Sequence, residues 1–399
     1  MNRARTPEPR EIRLLLLVLS FCGFAGALAT RLLDPLITSI AASFSVSIGV
    51  VALLSSAFAL PFGLSQPLLG PLGDAFGKAR LIRIATILLA ICLLAAALSP
   101  DLTTLFATRI LGGAAAGGIM PACMALIGDA FPLAVRHLAM SRYLSATLVG
   151  QLVGVSVGGI VAEWISWRGV LACAGLLAAV AAGAALLALP RESTERSARF
   201  RPRDAGVRYR LVLSNPRSFV CFGIVFMEGL AIYGVTPFIG ELLQMRHAGG
   251  VREAGFVIGG LGIGGLSYSL VVPIILKFAR RPTMMAAGGA VAAAGLLGLT
   301  LDANWVLSMG FMLILGFGFF LLHNSVQTEV TELAPSARAS SFSLHALSFF
   351  LGQALGPLVY GVALSKIGVA ISLCGGAAIL AVTGIFASVL LARPPLHRG

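Results

Sequence analysis

Residues 70–80 read GPLGDAFGKAR. Gly70 and Gly77 allow a tight turn, and Asp74, Lys78 and Arg80 put one acid and two cations where they can pair with the ends of neighbouring helices. On both sides the polar residues give out: 48–72 upstream and 81–99 downstream are largely apolar. At about 1.5 Å per residue, each run can cross a hydrocarbon layer about 30 Å thick. The stretch therefore reads as a charged loop between two membrane-spanning helices.

Outward from this loop the same alternation covers the chain. Apolar runs at 14–38, 48–72, 81–99, 102–127, 138–162 and 169–189 are followed by 218–240, 254–276, 284–301, 304–325, 340–364 and 368–392. These are twelve spans, six on each side of one polar segment. The composition agrees: 58% of the 399 residues are hydrophobic and 11% are charged, against roughly a quarter charged in soluble domains. That excludes an ordinary cytosolic enzyme. Cys22, Cys92, Cys123, Cys173, Cys221 and Cys374 each fall in a different apolar run with no C-x-x-C pair, so neither a disulfide framework nor a metal site is expected. Arg10 and Arg13 before an apolar stretch ending Ala27-Leu28-Ala29 mimic a secretory leader, but the apolar pattern runs on, and a first span is expected instead.

Orientation follows from the cations. With the N-terminus inside, 23 of the 29 basic residues fall in inside segments, and Arg168, Arg246, Arg252 and Lys366 fall outside, while Arg31 and Arg109 lie within spans. Both termini are expected in the cytoplasm. The net charge of +13 is then mainly a topology signal facing anionic lipid, and no nucleic-acid partner is expected. Only three basic residues are lysine, a composition that suggests a GC-rich bacterial genome; the expected location is a bacterial inner (cytoplasmic) membrane. The segment 191–217, with eight arginines, reads as a cytoplasmic linker between a six-helix bundle at 1–190 and a second at 218–399.

The halves repeat. GQLVGVSV at 150–157 and GQALGPLV at 352–359 share G-Q-x-x-G-x-x-V at an offset of 202, and Asp129, Pro132 and Arg136 reappear as Glu332, Pro335 and Arg338. Parallel six-helix repeats are one architecture of secondary transporters.

The loop at 70–80 resembles the signature loop of the major facilitator superfamily, G-x-x-x-D-x-x-G-[RK]-x-[RK], with Gly70, Asp74, Gly77, Lys78 and Arg80 in place. The resemblance covers nearly the whole chain. It implies an all-α membrane fold of twelve transmembrane helices in two pseudo-symmetric bundles, with Asp74 in a cytoplasmic latch that breaks and reforms during transport. The second half has Lys277, Arg280 and Arg281 at the matching place without an acid, so charge is kept there but not the latch.

Several intramembrane residues carry the functional expectation. Arg109 opens RILGGAAAGG at 109–118, similar to the R-x-x-Q-G of the superfamily's proton-coupled exporters, with Gly112 in place of the glutamine. An arginine within lipid faces a cavity or a counter-ion. RLLDP at 31–35 offers Asp34, which lies within one helical turn of the depth of Arg109. The resemblance implies an acid–arginine coupling pair of this kind; the alternative is a local Arg31–Asp34 pair at i, i+3, with Arg109 satisfied by backbone. Glu228, ten residues into its span, is expected near the midplane, where burial disfavours the charged form, as a proton carrier requires; a neutral structural glutamate is the alternative. Gly150, Gly154, Gly158 and Gly159 form a close-packing stripe similar to the antiporter motif G-P-x-x-G-G, with Val155 in place of proline; Gly352, Gly356 and Pro357 are the second-half counterpart. LHNSVQTEVTELAPSAR at 322–338 resembles bacterial arabinose-efflux-like permeases and makes His323 and Asn324 candidates for a gate or substrate contact.

GLGIGG at 260–265 fits G-x-G-x-x-G but lies in an apolar span with no preceding strand, and Gly77-Lys78 lacks Walker spacing. No cofactor and no ATP site are expected, so energy comes from a gradient. The expected function is proton-coupled export of a small organic molecule by alternating access, by a monomer. The alternatives are a proton-coupled importer and, from another class, a polytopic membrane enzyme.

Overall fold

The computed structural model describes residues 9–190 and 202–392, without the side chains of 9–11, 69–76, 133, 134, 137 and 202–205. The described residues are helical throughout, with no strand. The first half holds α1 (Pro9–Arg31), α2 (Ile37–Phe44), α3 (Ile48–Phe76), α4 (Lys78–Ala97), α5 (Leu102–Ala130) and α6 (Leu133–Ala188). A linker helix, α7 (Pro202–Leu213), lies within the segment expected to be only a connector. The second half holds α8 (Arg217–Val235), α9 (Ile239–Met245), α10 (Val251–Phe278), α11 (Arg281–Gly298), α12 (Trp305–Glu332), α13 (Arg338–Ile367) and α14 (Val369–Leu390). Short 3-10 turns, Asp34–Leu36 and Thr236–Phe238, join α1 to α2 and α8 to α9, making one interrupted span of each pair. Large apolar side chains point outward along the bundle, such as Leu187, Phe278 and Leu270 at 90%, 85% and 80% exposure, a surface suited to lipid and not to water.

Spans five and six form one 56-residue helix broken at Ser166, whose φ of 62° and ψ of 167° make the bend. That conformation belongs almost only to glycine and costs a side-chain-bearing residue about 1–3 kcal/mol. Ser166→Gly should therefore raise the thermal midpoint of the purified protein; an unchanged or lower midpoint would mean that Ser166 is not strained.

Glycines set the spacing inside each half, and they do so twice. A methyl on Gly150 or Gly154 of α6 would stand 2.5 Å from the carbonyl oxygen of Phe24 or Leu28 on α1. Their counterparts 202 residues later, Gly352 and Gly356 of α13, press in the same way on the carbonyls of Phe226 and Leu230 of α8. Gly113 on α5 meets the Phe58 carbonyl of α3, and Gly316 on α12 meets the Leu261 carbonyl of α10, at an offset of 203. Without a hydrophobic drive between helices in lipid, such close backbone contact is a main source of cohesion. The repeat seen in sequence is thus a repeat of backbone contacts.

Between the halves, α6 lies along α10 and α3 along α13. A Cβ on Gly159 would be 2.9 Å from the Val251 carbonyl, and one on Gly63 would be 2.7 Å from Phe350 Cβ. The ring of Phe350 sits 4.3 Å from that of Phe62. Tyr209 of α7 donates to the Pro67 carbonyl (2.7 Å), tying the linker to α3. At the face remote from the linker, a groove of about 740 Å³ opens between the halves, bordered by Val50, Leu53, Glu241, Leu358 and Gly361.

Candidate functional site

Asp34 lies where the two halves meet. Its 3-10 turn begins Asp-Pro, and proline lacks the N–H that a helix interior needs, so the helix breaks there. Asp34 is 2% exposed. Its Oδ1 accepts from Ser55 of α3 (2.7 Å), and its Oδ2 accepts from Arg31 (3.4 Å) and from Thr236 of the second half (3.1 Å). Arg31 also donates to Gln353 of α13 and lies 3.8 Å above the ring of Tyr233 on α8. An ion pair of one half is therefore gripped by three side chains of the other.

Applied to RLLDP at 31–35, the offset of 202 lands on YGVTP at 233–237. Arg31 and Tyr233 are repeat mates, as are Asp34 and Thr236. Residues related by a two-fold axis touch only near that axis, so this cluster lies on the axis that relates the two halves. The sequence reading named Arg31 and Asp34 but missed Ser55, Tyr233, Thr236 and Gln353; shifting RLLDP by the repeat offset would have found two of the four.

The expected contact of Asp34 with Arg109 takes a different form. Arg109 is 2% exposed and donates to the Ala29 carbonyl (3.3 Å), with its guanidinium 4.0 Å from the Phe58 ring centroid and its Nε unpartnered among the described residues. Matching depth placed it near Asp34, but Arg31, one turn away on the same chain segment, takes the carboxylate first.

A second polar cluster lies within the second half. Glu228 of α8 is fully buried, and its Oε2 sits 2.7 Å from Nδ1 of His323 on α12. The imidazole of His323 is boxed by Phe319 and Phe349, with ring centroids at 5.0 and 4.9 Å, and by His345 of α13 at 5.0 Å. Tyr233 touches the same two phenylalanines edge-on, so an aromatic wall separates this cluster from Arg31. Two expected residues, Glu228 and His323, meet here; Asn324 follows His323 and points about 100° around the helix. His345 was not foreseen, since a lone histidine in an apolar run carries no pattern of its own.

The packing glycines divide. Gly150 and Gly154 face α1 of their own half, and Gly158 lies near the Leu32 side chain (3.1 Å). Gly159 alone of the four meets the other half. Nine residues at about 100° each carry it half a turn round from Gly150, so the stripe is not one seam. Gly352 and Gly356 likewise face α8 within their own half, and Pro357 borders the groove.

A model of the Major Facilitator Superfamily matches residues 19–357. The chain belongs to this superfamily. It is 27% identical over 252 residues to the MFS-type transporter YwfA of Bacillus subtilis, covering 63% of this chain and 61% of that one. Against the same organism's Multidrug resistance protein 1, identity is 20%, with 89% and 90% of the two chains covered. The inner membrane transport protein YnfM of Escherichia coli is 25% identical, over 83% of this chain and 76% of its own. Among solved structures, the inward-facing bacterial homologue of the lysosomal transporter Spinster superposes with a TM-score of 0.69 at 17% identity, covering 96% of this chain and 95% of the other. The nucleoside transporter NupG gives 0.73 at 16%, covering 95% and 98%.

In this major facilitator transporter the signature loop is a sharp break between α3 and α4, with Gly77 at a φ of 93°. Lys78 reaches Asp129 at the end of α5 (2.6 Å), and Arg80 is exposed. Gly70 and Asp74 lie outside the residues whose side chains are described. The second-half loop does find an acid: Arg281 pairs with Glu329 from the end of α12 (3.2 Å), which also holds Arg217 (3.8 Å). The sequence comparison of the two loops missed this because the carboxylate comes from a different helix.

Proposed function

We propose that this transporter exports a small organic molecule in exchange for protons, with Asp34 as the coupling carboxylate. One observation carries the proposal: the Arg31–Asp34 pair is held by Tyr233, Thr236 and Gln353 across the interface of the halves. A proton added to Asp34 cancels the ion pair and takes up one of the carboxylate's acceptor sites. The carboxylate's bond to Thr236 joins the two halves, and the Arg31 released from Asp34 is no longer fixed against Tyr233 and Gln353, so protonation favours their rocking apart, and deprotonation favours the arrangement described. Conversion of a local charge into a two-state motion is what alternating access requires. Efflux-type and multidrug-named relatives support the direction.

Ligands found by thermal shift on the purified protein supply the substrate for a proteoliposome assay under an imposed pH gradient. Asp34→Asn should cut gradient-driven flux by about a hundredfold or more, the scale of losing a positioned proton-transfer group, while equilibrium exchange of substrate persists. Gradient-driven flux at the wild-type rate in Asp34→Asn would remove the proposal. Import in symport with protons is a second reading, favoured by Val155 standing where the antiporter pattern has proline. Flux measured in inverted vesicles separates the two.

A further inference from the structure

We propose that the linker helix α7 docks on an anionic phospholipid surface, with Val207 and Leu211 set among the lipids and Arg208 and Arg210 on their phosphates. The docking is independent of proton coupling, since it involves the linker and not the Asp34 cluster. One side of α7 holds the protein. Val212 is fully buried, and the Tyr209 hydroxyl donates to the Pro67 carbonyl of α3 and reaches Ser343 of α13. At about 100° per residue, Val207 and Leu211 fall on roughly the opposite side, where they are 68% and 47% exposed.

Arg208 and Arg210 are also exposed, each about 60° beyond one edge of that apolar pair. A helix packed on protein with its outer side in water carries polar residues on that side. An apolar strip flanked by cations is instead the pattern of a helix lying in the headgroup region of a bilayer. Phosphates above an apolar layer satisfy both parts of the pattern at once, whereas an acidic soluble partner would match only the arginines.

The level of α7 along the bundle agrees. Pro67 lies nine residues before the end of α3 and Ser343 five residues into α13, or about 14 and 8 Å inside those ends at about 1.5 Å per residue. Both anchors belong to helices long and apolar enough to cross a membrane, so α7 is fastened beside the spans and not beyond them. Next to the anchors, Leu68 and Phe342 are 60% and 39% exposed, and the surface that α7 adjoins is therefore itself suited to lipid. A basic side chain at that level is drawn to anionic headgroups, an attraction that falls off within a Debye length.

The test needs no substrate. Hydrogen–deuterium exchange of the α7 backbone is read by mass spectrometry on the full chain in lipid nanodiscs, made either of phosphatidylcholine alone or with phosphatidylglycerol added. Exchange should be about thirtyfold slower with phosphatidylglycerol, roughly fivefold for each arginine brought to an anionic surface. The difference should vanish in the double variant Arg208→Gln/Arg210→Gln and return in Arg208→Lys/Arg210→Lys, with thermal midpoints unchanged. Val207→Ser/Leu211→Ser should speed exchange in both kinds of disc. Equal exchange of the wild type in the two lipids would overturn the docking, as would a difference that survives the double glutamine variant. Protection reproduced by inorganic phosphate in phosphatidylcholine discs would overturn it too, by showing that the arginines bind a free anion.

Discussion

Gly352→Val should leave almost no folded transporter in the membrane. A side chain at this position would run into the carbonyl of Phe226 and the backbone nitrogen of Leu230. Where a side chain is crowded, a rotamer change can relieve it at about 1–3 kcal/mol; backbone atoms of a packed helix have no such freedom, so α13 and α8 must part along their length. The cost therefore exceeds about 3 kcal/mol, and its repeat mate Gly150→Val, set against the Phe24 carbonyl, should behave alike. Gly310→Val and Gly375→Val are the controls, because a Cβ at either meets nothing within 4 Å. Monodisperse yield in detergent, read by fluorescence size-exclusion chromatography, checks all four. Normal yield for Gly352→Val would mean that the helices are not in backbone contact.

The second large effect concerns Arg31. Removing one partner of a buried ion pair leaves an uncompensated charge and costs about 3–5 kcal/mol. Arg31→Met should destabilise the protein by that amount, since Asp34 keeps only the hydroxyls of Ser55 and Thr236. Adding Asp34→Asn removes the stranded charge, and the double variant should regain about half of the loss or more. Thermal midpoints of the two single variants and the double close the cycle. If Arg109 were the true counter-ion of Asp34, Arg31→Met would be nearly silent, and Arg109→Met would show the loss and its rescue instead.

Much of the fold was legible because lipid leaves few solutions. A span must be long, apolar and helical, so its limits appear as runs of composition, and the loop at 70–80 is sharp because its charges cannot enter hydrocarbon. The break at Ser166 was visible as polar residues between two runs. What periodicity could not supply was the helix within the linker, where arginines mask a short amphipathic turn. At the site, the intramembrane acids were conspicuous by cost alone: Asp34 and Glu228 stand out in any apolar run. Their partners were not, because Thr236, Gln353, Tyr233 and His345 are inexpensive enough in lipid to pass as filler.

The sequence by itself determined that the chain is a succession of apolar helices long enough to span a membrane, that they form a repeated unit, and which charges are buried at a cost that calls for a reason. Each follows from one-dimensional quantities: run length, offset and the price of ionisation in hydrocarbon. Only the tertiary structure decided which groups share a bond. Arg31 bonds Asp34 directly while Arg109 donates to the Ala29 carbonyl, a difference in reach that depth does not reveal, and His323 meets both Glu228 and the ring of His345 because three helices distant in sequence turn those faces towards one another.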